Sequence, residues 1–301
     1  MSTTPRCAVI GLGSMGFGMA LSCLRAGLTT HGADVRPERV LAFQAAGGAE
    51  GALAEAASSL DAAVVVVLNA EQMEAVLFGD AGIVPAMRAG SVVIACATVP
   101  PDFAAAMAAR AAESGVLYLD APISGGAVKA EAGQLSIMAA GSPAAFAAAR
   151  PVLDATAETV FELGETPGAG SAMKAVNQML AGVHIAAMAE AMTFAMTQGI
   201  TPESFLRVIP RCAGTSWMLE NRAPHVVEGD YAPRSSVAIW PKDLGIVLGI
   251  AGRAGFEAPI TEAALSRYQA AVEMGLAAVD DAAVAKVYAR QAGLTLPGEG
   301  S

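Results

Sequence analysis

The feature that most constrains this sequence is a set of regularly spaced glycines near its N-terminus. Gly11, Gly13 and Gly16 lie between an apolar run at residues 7–10 and a helix-like stretch at residues 15–26. In such a GxGxxG pattern the first glycine permits a tight turn, the second lets the backbone approach a pyrophosphate, and the third lets the helix pack closely on the strand. The pattern therefore predicts a strand, a turn and a helix whose N-terminus binds the phosphates of a dinucleotide. The alternative is a glycine-rich turn without a ligand.

The first half of the chain alternates short apolar runs with alanine-rich helical stretches. Residues 64–67 are four consecutive valines, which is typical of a strand buried on both faces. The alternation predicts an α/β fold, namely a Rossmann-type, doubly wound parallel sheet with covering helices. Strands are predicted at residues 7–10, 29–33, 63–68, 91–95 and 117–120, with a last pair near 135–139 and 159–162.

The strand pattern ends near residue 164, where a segment rich in glycine and proline begins. Residues 171–198 then run without proline, and a helix of that length spans on the order of 40 Å. We therefore expect a long helix that connects two domains and lines the cleft between them. The predicted domains are residues 1–166, which bind the dinucleotide, and residues 167–301, which are all-helical. Further helices are predicted at residues 202–211, 242–254, 261–274 and 282–291.

The charge balance excludes some partners. The chain has 18 Lys and Arg against 28 Asp and Glu, a net charge of -10, so nucleic acid and anionic membrane surfaces would be repelled. Because only 15% of residues are charged and 54% are hydrophobic, a large core is expected. The best uninterrupted apolar run, residues 62–68, is strand-sized, so we expect no membrane span. Glycines at 11–18 interrupt the apolar run after Arg6, which favours folded structure over an export signal.

The cysteines and histidines give no sign of a metal centre or a disulfide framework. The four cysteines are far apart and form no CxxC pair, which is typical of reduced thiols in the cytoplasm. The three histidines share no ligand spacing with cysteines or carboxylates, so no metal site is predicted.

An acidic residue at the end of the second predicted strand bears on the choice of cofactor. Asp34 lies about 20 residues after the first glycine, where a carboxylate can bind the ribose hydroxyls and would repel a 2′-phosphate. This favours NAD over NADP, with Asp34 and Val35 contacting the cofactor. Arg36 could instead pair with a 2′-phosphate, and Asp34 could simply cap a helix that begins at Pro37. The predicted cofactor loop consists of Gly11, Leu12, Gly13, Ser14, Met15 and Gly16.

Two further strand ends face the same edge of the predicted sheet. Asn69 and Ala70 follow the third strand, and Thr98 follows the fourth. Ligands of open α/β sheets bind outside the carboxyl ends of the strands. These residues are therefore candidate cofactor contacts, although each could be only a loop turn.

A turn of small residues follows the strand at 117–120. Ser124, Gly125 and Gly126 can present a hydroxyl and consecutive backbone N–H groups to a small anion, because glycine adopts backbone conformations that other residues avoid. A substrate carboxylate fits this description. An ordinary strand-to-helix turn capped by Ser124 is the alternative.

Three polar residues interrupt the otherwise apolar long helix on one face. Lys174, Asn177 and Gln178 are spaced i, i+3 and i+4. A desolvated lysine has its charged form disfavoured, and a neutral amine can accept a hydroxyl proton as hydride leaves the same carbon. A snorkelling surface lysine with polar neighbours is the alternative. Lys242 opens the predicted helix at residues 242–254 and could reach back toward cofactor or substrate.

Four segments together resemble the β-hydroxyacid dehydrogenase family. They are residues 11–19, residues 120–126 with Gly133, residues 168–178 and residues 242–245, and they come in the family's order over nearly the whole chain. Two positions depart from the common pattern. Ile123 replaces a valine, which is conservative, and Gln178 replaces an asparagine, which changes the reach beside the substrate.

The resemblance implies NAD-dependent oxidation of a small hydroxy acid, with Lys174 as the catalytic residue. It also implies that Ser124, Gly125, Gly126, Asn177 and Gln178 hold the substrate and that Thr98 and Lys242 touch the cofactor. Family members assemble as homodimers or homotetramers through the helical domain. The rival hypothesis is a dinucleotide-binding module without catalysis, and the presence of the lysine argues against it.

Overall fold

The computed structural model describes residues 4–299 of the chain. The chain divides into two compact units. The first ends at Lys174, and the second begins at Ala175. The predicted boundary between residues 166 and 167 lies shortly before this division, just ahead of the long helix.

The first unit contains a five-stranded parallel sheet of order β2-β1-β3-β4-β5. Its strands are β1 Arg6–Ile10, β2 Thr29–Ala33, β3 Ala62–Val65, β4 Val92–Ala95 and β5 Leu117–Asp120. The last residues of all five strands are in register, from Ala33 through Ile10, Val65 and Ala95 to Asp120. The loops that follow these strands therefore leave the sheet at one common edge.

Helices cover both faces of this sheet, so the predicted Rossmann-type fold is confirmed. Val9 and Ile94 face one buried core with Met19, while Ala8 and Val65 face the other core. The helices of this unit are α1 Ser14–Arg25, α2 Pro37–Ala45, α3 Leu53–Ala56, α4 Ala70–Phe78, α5 Pro101–Glu113, α6 Gly126–Ala132 and α7 Pro143–Thr156.

The last pair of predicted strands belongs to a second, smaller sheet. It has the order β6-β7-β8, with β6 Ile123–Ser124, β7 Leu135–Ala139 and β8 Ala157–Glu162. β6 pairs antiparallel with β7, and β7 pairs parallel with β8. The two-residue strand β6 was not predicted, because two residues carry no periodicity. The third strand ends at Val65 rather than at residue 68, since the chain turns there toward the cap of α4 at Asn69.

The long helix α8 spans Ala169–Thr197, close to the predicted range. The other helices of the second unit are α9 Pro202–Val208, α10 Trp217–Glu228, α11 Ile239–Arg253, α12 Pro259–Glu273 and α13 Ala285–Ala292. Within this unit, the fully buried Tyr268 stacks on Trp240 with ring centroids 5.6 Å apart and donates a hydrogen bond of 2.8 Å to the Gly182 carbonyl. A Cβ at Gly182 would lie 2.9 Å from Trp240, which explains the glycine inside α8.

One helix of the chain is long as well as apolar. Among residues 4–299, α8 is long and apolar enough to cross a membrane, with a mean hydropathy of 1.4 in its most apolar window. Lys174 and Asn177 interrupt its apolar residues, so it contains no long uninterrupted apolar run. Half of that window is buried inside the protein, as in a core helix of a globular domain.

Candidate functional site

The turn between β1 and α1 has the geometry that its glycines predict. Gly11 has a φ of +95°, and a Cβ there would lie 2.2 Å from the Val66 carbonyl oxygen. A Cβ at Gly16 would lie 1.9 Å from the Gly11 carbonyl oxygen. At Gly13, by contrast, a Cβ would meet no protein atom within 4 Å. Gly11 and Gly16 therefore let the turn and the helix pack closely on the sheet. Gly13 leaves open space beside the backbone.

That open space lies at the N-terminus of α1. The helix begins at Ser14, and Gly13 before it has no side chain with which to cap the first N–H groups. Unsatisfied N–H groups and the positive end of the helix dipole favour a phosphate. The loop residues Leu12, Ser14 and Met15 line the same turn. The cradle therefore fits the pyrophosphate of a dinucleotide.

Asp34 ties the end of β2 to the glycine turn. Its Oδ2 accepts a hydrogen bond of 2.8 Å from the Leu12 backbone N–H, and its Oδ1 accepts from the Arg36 backbone N–H at 2.9 Å and from Arg36 Nε at 3.1 Å. Burial raises the pKa of Asp34, but the hydrogen bonds from Arg36 and Leu12 outweigh it, so the net pKa lies below its ordinary value. Asp34 is thus an anchored carboxylate at the edge where the strands end, and Val35 beside it is 97% exposed.

The other two candidate cofactor contacts lie at the same edge of the sheet. Asn69 caps α4, because its Oδ1 accepts a hydrogen bond of 2.9 Å from the Gln72 N–H. Ala70 is the first residue of that helix. Thr98 follows β4 and is partly exposed. Since β3 and β4 end in register with β1, these residues flank the glycine turn.

The turn after β6 adopts the backbone conformation that glycine allows. Gly125 and Gly126 have φ values of 139° and 78°, and Gly125 precedes the first residue of α6. Ser124 is the last residue of β6 and is partly exposed. The three residues therefore form the predicted turn, with a hydroxyl and a left-handed backbone side by side.

Lys174 lies beside this turn. Its side chain is buried, with 8% exposure, and its Nζ donates a hydrogen bond of 2.9 Å to the carbonyl oxygen of Ile123. Ile123 immediately precedes Ser124. The structure thus brings the amine and the serine-glycine turn together, although they are about 50 residues apart in sequence. The geometry does not fit the alternative of a surface lysine with a solvated amine.

Asp120 has a role that the sequence did not reveal. It is 1% exposed, and its Oδ2 accepts hydrogen bonds of 2.8 Å from the backbone N–H groups of both Gly168 and Ser171. Its Oδ1 accepts from the Ser171 hydroxyl at 2.7 Å. Burial raises the pKa of Asp120, and the bonds from Ser171 and Gly168 offset only part of that rise. A signal was present, because Asp120 ends a predicted strand at the carboxyl edge of the sheet.

A second polar network lies within the helical unit. Asn177 Nδ2 donates a hydrogen bond of 2.9 Å to Gln178 Oε1, and Gln178 Nε2 donates to the buried Asp243. Lys242 forms an ion pair with the same carboxylate. The predicted residues Asn177, Gln178 and Lys242 are therefore linked through Asp243.

Comparison with known proteins agrees with this geometry. Residues 6–164 match the family described as the NAD binding domain of 6-phosphogluconate dehydrogenase. Residues 168–288 match the family described as NAD-binding of NADP-dependent 3-hydroxyisobutyrate dehydrogenase. The glycine turn and Asp34 thus lie in an NAD-binding domain.

Relatives match over almost the full length of the chain. L-threonate dehydrogenase of Cupriavidus necator is 49% identical over 97% of both chains. L-threonate dehydrogenase of Escherichia coli K12 is 44% identical over 96% of both chains. A crystal structure described as 3-hydroxyisobutyrate dehydrogenase from Salmonella typhimurium superimposes with a TM-score of 0.89 at 46% identity, over 94% of this chain and 99% of that chain. The chain therefore belongs to the β-hydroxyacid dehydrogenase family, the NAD-dependent enzymes related to 3-hydroxyisobutyrate dehydrogenase.

Proposed function

We propose that this enzyme oxidises the C2 hydroxyl of L-threonate to a 2-oxo acid, 2-dehydro-L-erythronate, with NAD as the oxidant. Five relatives named L-threonate dehydrogenase, at 44–49% identity, support this substrate. The observation that carries the proposal is the buried Lys174 amine, 2.9 Å from the Ile123 carbonyl oxygen and next in the chain to the Ser124 turn.

The cofactor is assigned to the edge where the strands end. The glycine loop, residues 11–16, binds the pyrophosphate, and Asp34 with Val35 contacts the adenosine ribose. Because Asp34 is an anchored carboxylate, it would repel a 2′-phosphate and favours NAD over NADP. When bound, NAD supplies the carbon that accepts the hydride. The remaining contacts are assigned to Asn69, Ala70, Thr98 and Lys242.

We assign to Lys174 the role of accepting the hydroxyl proton. As the C2–H bond breaks and its electron pair leaves with the hydride, the C2 hydroxyl loses its proton to Nζ and a C2 carbonyl forms. The amine must be neutral to accept that proton. The hydrogen bond to Ile123 fixes the position of Nζ.

The substrate is held by polar groups on two elements. Ser124, Gly125 and Gly126 bind the carboxylate through the serine hydroxyl and backbone N–H groups, which the positive φ values of the glycines orient. Asn177 and Gln178, one turn of α8 beyond Lys174, bind the other hydroxyl groups.

Substitution of Lys174 tests the catalytic assignment. We expect Lys174→Ala to lower kcat by a factor of at least about 100, because general base catalysis contributes that much, while NAD binding measured by fluorescence titration persists. Lys174→Arg is the matched variant, since arginine is also a long basic side chain but does not deprotonate in proteins. It should be equally inactive. Full turnover by either variant in a steady-state assay would contradict the role of proton acceptor.

A substrate panel tests the reaction itself. L-threonate, glycerate, 3-hydroxyisobutyrate and tartronate semialdehyde are each assayed with NAD(H) and NADP(H), and L-threonate with NAD should give the highest kcat/KM. The second candidate is a 3-hydroxyisobutyrate-type dehydrogenase, favoured by the description of the Salmonella structure, or a tartronate semialdehyde reductase. A chain that binds NAD tightly but turns over none of these would be a dinucleotide-binding module.

We further propose a homodimer or homotetramer in the cytoplasm. Large apolar side chains on α8 are exposed, including Val176 at 53%, Leu180 at 52% and Phe194 at 65%, which favours burial against another copy of the chain. The free thiols of Cys7, Cys23 and Cys96 suit a reducing compartment. Light scattering coupled to size exclusion measures the mass, and a monomer at micromolar concentration would contradict the assembly.

A further inference from the structure

The start of α8 carries an arrangement that the proposed reaction does not yet use. We infer that Asp120 and Ser171 are positioning residues, which place the Lys174 amine by fixing the first turn of α8. The inference rests on the proposed function, because it takes Lys174 as the group that accepts the hydroxyl proton.

The N–H groups at the N-terminus of α8 need hydrogen-bond partners from outside the helix. The first four N–H groups of an α-helix have no partner inside the helix. Asp120 Oδ2 accepts a hydrogen bond of 2.8 Å from the Ser171 N–H in the first turn of α8, and another of 2.8 Å from the N–H of Gly168, which directly precedes the helix. A carboxylate at this end of a helix is also favoured by the helix dipole. A single buried side chain therefore holds the beginning of α8.

The first turn of α8 packs closely against the backbone of neighbouring segments. A Cβ at Gly170 would lie 2.5 Å from the Met138 carbonyl oxygen and 2.7 Å from the Asp120 carbonyl oxygen. Gly168 has a φ of +109°, and a Cβ there would lie 2.8 Å from the Pro101 carbonyl oxygen. The turn is thus seated directly on backbone, where small displacements meet fixed atoms rather than flexible side chains.

Two hydrogen bonds connect the start of α8 and the Lys174 amine to the same segment, residues 120–123. Ser171 is bound to Asp120, and Lys174, one turn later, is bound to Ile123 at 2.9 Å. The segment from Asp120 to Ile123 and the turn from Ser171 to Lys174 are therefore joined at both ends. A change at the first junction displaces the second, and with it the amine beside Ser124.

Two substitutions test this role. In Asp120→Asn an amide replaces the carboxylate, so one of its two oxygens is exchanged for an NH₂ group that cannot accept a hydrogen bond. We expect kcat for the hydroxy acid to fall by about 100-fold, the loss that a 1 Å misplacement can cause. Ser171→Ala removes only the hydroxyl bond to Asp120 and should have a smaller effect, about 10-fold. In both variants we expect the dissociation constant of NAD and the KM of the substrate to stay close to wild type.

A matched control separates positioning from general loss of stability. Ser142 caps α7 in the same unit, where its Oγ accepts a hydrogen bond of 3.2 Å from the Ala145 N–H. Ser142→Ala should lower Tm to a similar extent as Ser171→Ala but leave kcat unchanged. A loss of kcat in Ser142→Ala that matches its loss of Tm would overturn the inference, because any weakened cap would then have the same effect.

A second readout does not depend on turnover. The chain has four lysines, and Lys129 is an exposed one in the same unit, with 42% side-chain exposure. Acetylation by acetic anhydride, followed by mass spectrometry, should modify Lys174 slowly relative to Lys129 in the wild type. In Asp120→Asn and Ser171→Ala we expect Lys174 to react severalfold faster, because its amine is no longer held in place.

The outcomes distinguish the two proposals. Turnover by Lys174→Ala would refute the catalytic role, whereas acetylation would still report whether Asp120 holds the amine. An inactive Lys174→Ala beside unchanged kcat and unchanged Lys174 protection in Ser171→Ala and Asp120→Asn would overturn the positioning role alone. If Asp120→Asn does not fold, Ser171→Ala decides the matter, because it retains the carboxylate and both backbone bonds.

Discussion

The two glycines at positions 13 and 16 should separate folding from cofactor binding when each is replaced by alanine. Gly16 lies inside α1, where alanine is ordinarily better than glycine by about 1 kcal/mol. Its Cβ, however, would lie 1.9 Å from the Gly11 carbonyl oxygen and 3.3 Å from Val66 Cβ. A carbonyl oxygen of the backbone cannot swing aside as a side chain can, so α1 must move away from β1 by more than about 1 Å.

The cost of that movement follows from overpacking. Forcing an additional group into a packed site costs about 1–3 kcal/mol, and because backbone is displaced we take the upper figure. After subtracting the helix gain, Gly16→Ala should lose about 2 kcal/mol. For a unit of this size 1 kcal/mol shifts Tm by about 2–4 °C, so we expect Tm to fall by about 4–8 °C.

Gly13→Ala should show the opposite behaviour. Gly13 has a φ of -70°, which alanine adopts without strain, and its Cβ would meet no protein atom within 4 Å. Tm of the cofactor-free protein should therefore stay within about 2 °C of wild type. The added methyl would occupy the space assigned to the pyrophosphate, so the dissociation constant of NAD should rise by at least about 10-fold, equivalent to about 1.4 kcal/mol.

Differential scanning fluorimetry without cofactor and fluorescence titration with NAD measure the two effects. The reasoning would be refuted if Gly13→Ala lowered Tm as much as Gly16→Ala. It would also be refuted if Gly13→Ala bound NAD as tightly as wild type, because the open space beside Gly13 would then have another purpose.

Two further predictions concern charge and pH. Asp34→Ala removes the carboxylate and releases Arg36 from it, so the ratio of kcat/KM with NAD to that with NADP should fall by at least about 10-fold; an unchanged ratio would show that Asp34 does not select the cofactor. Burial and the charge of Arg6 lower the pKa of His31 below its ordinary value of 6.5. His31 therefore binds a proton at a higher pH in the unfolded chain than in the folded protein. The free energy of unfolding falls as the pH drops below about 6.5. Urea unfolding at pH 7.5 and 5.5 should show a smaller loss in His31→Leu than in wild type, and equal losses would rule out His31 as the source.

The sequence predicted much of the fold because its signals are local. The predicted strands at residues 29–33, 117–120 and 135–139 have the observed ends, and each begins two residues after a glycine. These local signals do not predict that β7 and β8 belong to a separate sheet. That arrangement depends on β6, whose pairing of Ile123 with Ile137 is a tertiary contact rather than a periodic pattern.

The site shows the same division between local and distant contacts. The positive φ values at Gly11 and Gly125 follow from residue type and spacing, and both were foreseen. The hydrogen bonds of Asp120 to Ser171 and of Lys174 to Ile123 each join residues 51 apart. Spacing along a single helix places Lys174 on a face, but it does not indicate which carbonyl its amine meets.

Gln178 shows how far a departure from a family pattern can be interpreted. Relative to the common asparagine it adds one methylene, and from sequence alone that extension points toward the substrate. In the structure its amide binds Asp243, which also pairs with Lys242, and its oxygen accepts the hydrogen bond from Asn177. Side-chain length fixes reach, whereas packing fixes direction. The substitution therefore ties a side chain that we propose to bind a substrate hydroxyl to a carboxylate next in sequence to Lys242.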